Sequence, residues 1–363
     1  MKILIAGGGT GGHIFPGIAI AEAIKILRPE TDIEFIGTEK GAEFKLVPNN
    51  GFKLNLIELA GFSRVSMKAN LTFPVKLLKG FFQSNKLMNE FKPDAVIATG
   101  GYVCGPVTRI AQWKKIKTFV QEQNAVPGFT TKELAKKATK VFATYEDSIP
   151  FFESDVKSKI EVFGNPVRKN LNTFSREEAF KFFNLDPTKK TVLVFGGSQG
   201  ARSINKAVSE QHEKIVRKGI QFIWQTGRTD SEFPPVKEEY KNSVYRSAFI
   251  NEMGLAYAAS DLVVSRAGAT SLAEITYIGT PSILIPLPTA ADDHQTKNAM
   301  VMKNSGASVI VLDSMLDEQF GNTIGQIMMD AQLLGKMKKA AKELAKPNAA
   351  EDIAKQILKE ITG

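Results

Sequence analysis

Apolar runs of four or five residues, rich in Val, Ile and Phe, alternate with longer amphipathic stretches along the whole chain. The runs predict strands at Lys2–Ala6, Asp32–Ile36, Ala95–Ala98, Thr118–Gln121, Val141–Thr144 and Ile160–Phe163. A second series follows at Val192–Phe195, Phe222–Gln225, Val244–Ser247, Leu262–Ser265, Ser282–Ile285 and Ser308–Leu312. Most are apolar throughout rather than alternating, which is the pattern of strands covered on both faces. The helix-length segments between them make βαβ units and parallel sheets. Twelve strands are too many for one ordinary doubly wound sheet and suit two sheets of six.

The division falls near residue 165. Gly164-Asn165-Pro166 breaks the chain after the sixth strand, and a polar helix, Arg176–Phe183, leads to Asp186-Pro187. From Thr191 the pattern restarts: Thr191-Val192-Leu193-Val194-Phe195-Gly196-Gly197-Ser198-Gln199-Gly200 echoes Lys2-Ile3-Leu4-Ile5-Ala6-Gly7-Gly8-Gly9-Thr10-Gly11. Each is a strand delivering a glycine-rich turn into a helix. The reading is α/β, with two Rossmann-like domains over residues 1–164 and 165–346. The tail, Leu334–Ile361, is amphipathic and broken at Pro347 into two helices.

Composition narrows the class. Of 363 residues, 43% are hydrophobic and 23% charged, which excludes a disordered, collagen-like or coiled-coil chain. The single cysteine, Cys104, excludes a disulfide framework and a cysteine-based zinc site, and fits a reducing compartment. The apolar start meets glycine after Ala6, too soon for a signal-peptide core, and no apolar run reaches the roughly 18 residues of a membrane span. Lys and Arg (47) outnumber Asp and Glu (38), for a net charge of +9, so an anionic partner is expected. Nucleic acid, an acidic membrane face and a phosphorylated substrate all qualify. Charge alone supports nucleic acid: no compact basic motif with interleaved aromatics accompanies it, so no nucleic-acid partner is expected.

Gly7, Gly9 and Gly12 satisfy G-x-G-x-x-G after a strand. A dinucleotide site also needs an acid ending the second strand. That strand ends Ile36-Gly37-Thr38, and Glu39 lies beyond it, so no nicotinamide or flavin cofactor is expected. The turn still offers amides to an anion at a helix N-terminus. His13 sits where that helix begins. A helix N-terminus disfavours imidazolium, so a neutral ring suited to general-base work is expected there. A histidine that merely caps the turn is the alternative. Gly196-Gly197-Ser198-Gln199-Gly200-Ala201-Arg202 offers amides and a hydroxyl to a second phosphate, and Thr99-Gly100-Gly101-Tyr102-Val103-Cys104-Gly105-Pro106 forms a third such turn. Together they predict two phosphorylated ligands meeting in a cleft. Glu274, one helical turn past Thr270, can accept from vicinal hydroxyls; a surface glutamate is the alternative. No D-x-D sequence occurs and Asp292-Asp293 diverge, so no protein-held catalytic metal is expected.

The turns stand in a recognisable order. Gly8-Gly9-Thr10-Gly11-Gly12-His13-Ile14-Phe15-Pro16-Gly17, Gly100 to Pro106, Glu122-Gln123-Asn124, Gly164-Asn165-Pro166-Val167-Arg168, Gly196 to Arg202, Arg266-Ala267-Gly268-Ala269 to Glu274, and Asp293-His294-Gln295 with Asn298-Ala299 resemble the MurG family over essentially the whole chain. The resemblance implies a GT-B fold, two Rossmann-like domains with parallel sheets facing across a cleft, and a final helix (about 347–363) returning to the N-terminal domain. It implies an inverting transfer of N-acetylglucosamine from UDP-GlcNAc to lipid I, the undecaprenyl-diphosphate-linked acceptor of peptidoglycan synthesis, with no cofactor. The donor falls to the C-terminal half and the acceptor to the N-terminal half. Carried over by position, Ser198 and Arg168 contact the donor diphosphate, the backbone of Ile250 reads uracil, and Glu274 takes the ribose hydroxyls. Ala269, Thr270, Ser271, Leu272, Ala273 and Gln295 line the donor site, with Thr10, Gly11, Gly12 and Asn124 reaching the sugar from the other half. His13 is the base, and Gly100, Gly101 and Tyr102 lie on the acceptor side. The chain departs from the family at Ala267, where serine is frequent, at His294, where glutamine can occur, and at Cys104, where serine or alanine is more usual.

Between Gly61 and Lys92, six basic residues (Arg64, Lys68, Lys76, Lys79, Lys86 and Lys92) face one acid, Glu90. Leu71, Val75, Leu78 and Phe82 recur at helical spacing, with Phe73, Leu77 and Phe81 beside them. Aromatic and aliphatic residues next to lysine describe an interfacial helix that seeks anionic lipid; a helix packed on the sheet with a solvated basic side is the alternative. The lipid-linked acceptor that the resemblance implies favours contact of Lys76, Lys79, Phe81 and Phe82 with the anionic cytoplasmic face of the cell membrane. A soluble UDP-sugar enzyme of the same fold, such as a UDP-GlcNAc 2-epimerase, is the rival reading and leaves Phe81-Phe82 beside lysines unexplained.

Overall fold

The computed structural model of the chain describes residues 1–61, 73–197 and 199–363. Ser198, Arg64, Lys68 and Leu71 lie outside the described residues. The chain forms two compact units, Met1–Arg168 with Pro347–Gly363, and Lys169–Lys346.

The first unit is built on a parallel sheet of seven strands, β1 (Lys2–Ala6), β2 (Asp32–Gly37), β3 (Lys53–Leu56), β4 (Ala95–Ala98), β5 (Lys117–Glu122), β6 (Lys140–Ala143) and β7 (Ile160–Val162). Their order is β3-β2-β1-β4-β5-β6-β7. The expected six becomes seven because β3 escapes the apolar pattern. It is an edge strand, paired only with β2, and its Lys-Leu-Asn-Leu sequence is half exposed. Lys53 Nζ and Asn55 Nδ2 each donate to Glu34 at 2.7 Å, so polar side chains, not an apolar run, hold this edge.

Inner strands show why the rest were legible. Ile3 and Ile5 bury one face of β1 beside Phe35, Ile97, Phe119 and Phe142, while Leu4 and Ala6 bury the other with Val96, Val120 and Val141. The helix Ala349–Thr362 supplies Ile353, Ala354 and Ile357 to the first of these cores, against the helix Gly11–Leu27. Truncating Ile357 to alanine therefore leaves a cavity behind the glycine turn's own helix. A loss of about 2–5 kcal/mol is expected, read as a lower urea midpoint by circular dichroism.

The second unit carries six parallel strands, β8 (Lys190–Phe195), β9 (Ile220–Gln225), β10 (Val244–Ser247), β11 (Leu262–Ser265), β12 (Ser282–Leu284) and β13 (Ser308–Ile310), ordered β10-β9-β8-β11-β12-β13. Val192, Val194, Phe222, Trp224 and Val264 fill its core with Phe320 and Ile324. In both sheets the order reverses at one point, between β1 and β4 and between β8 and β11. Such a switch point opens a crevice at the carboxyl ends of the strands, where ligands bind.

Candidate active site

The glycine turns leave the first sheet at its switch point. Ala6 and Ala98 are in register, and Thr99 N–H donates to Ala6 O at 2.8 Å and Gly8 N–H to Gly100 O at 3.3 Å. The helix Gly11–Leu27 starts at once, with His13 in its first turn and its backbone N–H on Thr10 O at 3.1 Å. His13 Nδ1 lies 3.1 Å from the carbonyl oxygen of Gly8. A carbonyl only accepts, so in the neutral ring Nδ1 carries the proton and Nε2 the lone pair. The ring lies against the second turn. Gly100 and Gly101 have φ of +108° and +83°, and a Cβ on Gly100 would stand 2.6 Å from His13 Cδ2. Only glycine fits both the backbone and the space.

The structure adds a residue that the sequence concealed. Glu43 is fully buried (0% exposed) beneath the turn. Its Oε2 accepts from Gly9 N–H at 2.8 Å, and its Oε1 from Thr38 N–H and Thr38 Oγ1, both at 2.9 Å. The Tyr102 phenol donates to Thr38 Oγ1 at 2.8 Å, since the threonine hydrogen already points to Glu43. The Gly9 amide that the sequence offers to an external phosphate is thus taken by the protein's own carboxylate. In sequence Glu43 looks like one acid in a polar loop, and no spacing marks it.

Below the second turn, the Cys104 thiol bonds Ala6 O and Gly100 O at 3.0 Å and is pushed up to about 12 by burial. It serves as a tie, as a serine would. Asn124 is fixed by Glu122, whose Oε1 accepts from Asn124 N–H at 2.9 Å and from Nδ2 at 3.1 Å. Burial raises the Glu122 pKa, opposed by hydrogen bonds from Asn124, Thr131 and Gly128. Asn165 belongs to the first unit, where its Oδ1 accepts from Gln121 at 3.1 Å. Arg168 also belongs there, with its guanidinium 4.3 Å from the centroid of the Phe15 ring. Both residues stand beyond the 164/165 boundary expected from the Gly-Asn-Pro break, because their side chains are anchored to β5 and to the helix after β1.

In the second unit the corner is built alike. Phe195 and Ser265 are in register at the switch point, and the turn Gly196–Ala201 follows the first of them. A Cβ on Gly200, at φ +81°, would lie 2.2 Å from Thr226 O, so the turn rests on the loop after β9. Gln225 ties this corner to the next segment: its Nε2 donates to Gly197 O at 3.3 Å and its Oε1 accepts from Ile250 N–H at 2.9 Å. Of the Ile250 peptide group, the amide is engaged by Gln225.

The helix Ala269–Ile278 presents Ala269, Thr270, Ser271, Leu272 and Ala273 in its first turns. Glu274 is not on the surface: it is 8% exposed, and its Oε2 accepts from Tyr257 OH at 3.0 Å. Gln295 Oε1 accepts from Leu287 N–H at 3.0 Å, and Asn298 Nδ2 donates to Ala267 O at 3.3 Å, bracing the strand ends. His294 Nδ1 bonds Ala291 O at 2.7 Å and so caps its own turn.

The helix Phe73–Phe91 turns Gly80, Ser84, Met88 and Phe91 inward. Val75, Leu78 and Phe82 point out, the last two 71% and 73% exposed. This apolar stripe is therefore not packed on the sheet. Phe81 stacks on Trp113 at 5.7 Å, and that tryptophan, from the neighbouring helix Cys104–Trp113, enlarges the apolar surface. Lys79 pairs with Glu58 at 3.0 Å.

Two Rossmann-like units in one chain, each opening a glycine corner at its switch point, are the architecture of the GT-B class. Residues 3–143 match the glycosyltransferase family 28 N-terminal domain and residues 191–357 the family 28 C-terminal domain. A Flavobacterium psychrophilum protein is 40% identical over 361 residues, covering 99% of this chain and 97% of its own. A Clostridioides difficile protein is 41% identical over 363 residues, covering 99% and 89%. Both carry the name UDP-N-acetylglucosamine–N-acetylmuramyl-(pentapeptide) pyrophosphoryl-undecaprenol N-acetylglucosamine transferase. The crystal structure of Acinetobacter baumannii MurG superposes with a TM-score of 0.73 at 27% identity, over 99% of both chains. A Neisseria meningitidis UDP-GlcNAc 2-epimerase, at 15% identity and a TM-score of 0.68 over 99% of this chain and all of its own, shares the fold alone. The chain belongs to the MurG family of N-acetylglucosaminyltransferases.

Proposed function

We infer that the chain transfers N-acetylglucosamine from UDP-GlcNAc to the C4 hydroxyl of the MurNAc of undecaprenyl-pyrophosphoryl-MurNAc-pentapeptide, making lipid II from lipid I. The carrying observation is 40% identity to a transferase of that name along nearly the whole of both chains. His13 takes the C4 proton on Nε2 as the oxygen bonds the donor's anomeric carbon. The anomeric carbon–phosphate bond breaks with inversion, and its electron pair leaves on UDP. Amides of the Gly196–Ala201 turn and Arg168 balance that charge, while the Ile250 carbonyl and Glu274 hold uracil and ribose. Loss of one contact to the leaving diphosphate should cost about 10²–10³-fold in rate, as for oxyanion donors.

The test is UDP release from UDP-GlcNAc with and without a lipid I analogue. Acceptor-dependent release with a new disaccharide on the lipid is expected. Conversion of the donor to its C2 epimer without acceptor would establish the epimerase reading instead.

The enzyme works on the cytoplasmic face of the cell membrane as a peripheral protein, docked through the helix Phe73–Phe91. Among the described residues no helix is long and apolar enough to cross a membrane. Exposed Val75, Leu78 and Phe82 support docking, beside Lys76, which adds about 1 kcal/mol near an anionic leaflet, and Lys79, whose charge is shared with Glu58. Replacing Leu78 and Phe82 together with serine removes about 3 kcal/mol or more of apolar insertion. Vesicle co-sedimentation should fall about a hundredfold, with turnover of a short-chain soluble acceptor kept.

A further inference from the structure

Glu43 and His13 grip opposite ends of one peptide group. The Gly8–Gly9 peptide gives its N–H to Glu43 Oε2 at 2.8 Å and turns its carbonyl to His13 Nδ1 at 3.1 Å. We propose that Glu43 is the positioning residue of the base: through this peptide it fixes the tautomer and aim of the imidazole. The proposal rests on His13 acting as the base.

Three observations carry it. The carboxylate is fully buried in a space that three glycines keep open for it: a Cβ on Gly8 would lie 2.8 Å from Glu43 Oε1, one on Gly37 2.4 Å from its Cγ, and one on Gly41 2.0 Å from its Oε2. Its three bonds all come from donors, Gly9 N–H, Thr38 N–H and Thr38 O–H, which an ionised carboxylate satisfies and an amide does not. The neighbouring Ala42 N–H returns to Gly9 O at 3.4 Å, so the same segment holds the turn from both sides. A peptide whose N–H faces a carboxylate is polarised, and its carbonyl becomes the stronger acceptor. It then holds the Nδ1 proton more firmly and leaves the lone pair on Nε2. Thr38 passes the same anchoring to Tyr102, so the base and the acceptor-side tyrosine share one buried hub.

Glu43→Gln places an amide N–H against these donors and tilts the peptide. A kcat loss of about 10²-fold is expected, the scale of a 1 Å misplacement, with KM for UDP-GlcNAc within about twofold because the uracil and ribose contacts, Ile250 and Glu274, lie on the other unit. Thr38→Val should lose part of kcat and Thr38→Ser should restore it; this pair carries the test if Glu43→Gln does not fold. Glu34→Gln is the matched control, removing another buried carboxylate of this unit, one on β2 whose oxygens accept from Lys53 Nζ and Asn55 Nδ2. It should lose stability and keep kcat. Wild-type kcat in Glu43→Gln, or equal kcat losses in Glu43→Gln and Glu34→Gln, would overturn the proposal. Retained turnover in His13→Ala would instead remove the base reading and the proposal with it.

Discussion

Replacing His13 with alanine is expected to lower kcat for sugar transfer by about 10²–10⁴-fold, the range of general-base catalysis. KM for UDP-GlcNAc should change little. The acceptor C4 hydroxyl is a weak nucleophile and must shed its proton as the new bond forms. His13 is suited to take it because the Gly8 carbonyl holds the proton on Nδ1, and Gly100 and Gly101 leave the ring room without side chains of their own. The helix starting at Gly11 opposes a positive ring as well. Steady-state kinetics with a soluble lipid I analogue separate kcat from KM. Equal losses in kcat and affinity would point to a binding role in place of a chemical one.

Glu274→Ala should act on the other constant. The carboxylate is buried on the helix Ala269–Ile278 and aligned by Tyr257 OH at 3.0 Å, so removing it deletes a charged acceptor and leaves a buried phenol without that partner. Hydrogen bonds to charged groups are worth about 1.5–3 kcal/mol, which raises KM for UDP-GlcNAc about 10- to 150-fold with kcat largely kept. A donor lacking the ribose hydroxyls gives the matching cycle. It should be penalised in the wild type and show no further loss in Glu274→Ala. A second full penalty in the variant would move ribose recognition to other residues.

The sequence made the strands covered on both faces legible, because burial of Ile3, Leu4, Ile5 and Ala6 alike writes a continuous apolar run. It missed β3, where one face is wet and Glu34, Lys53 and Asn55 carry the pairing. The glycine corners were legible because positive φ at Gly100, Gly101, Gly197 and Gly200 demands glycine whatever the ligand. Glu43 was not, since a buried carboxylate is defined by the three donors folded around it, and these come from residues 9 and 38. The exposure of Glu274 was undecidable for a similar reason: its burial depends on Tyr257, from a different helix. Trp113 joins the apolar face of the helix Phe73–Phe91 only through packing between neighbouring helices, which periodicity within one helix does not report.

The central claim, that an imidazole at position 13 removes the acceptor's proton, is tested most directly by chemical rescue. Folded His13→Ala enzyme would be assayed for lipid II formation over a series of imidazole concentrations at fixed pH. Turnover is expected to climb with added imidazole and to respond to the basicity of substituted imidazoles, while wild type stays flat. A well-folded variant whose rate ignores every added base, or one already as fast as wild type, would contradict the account.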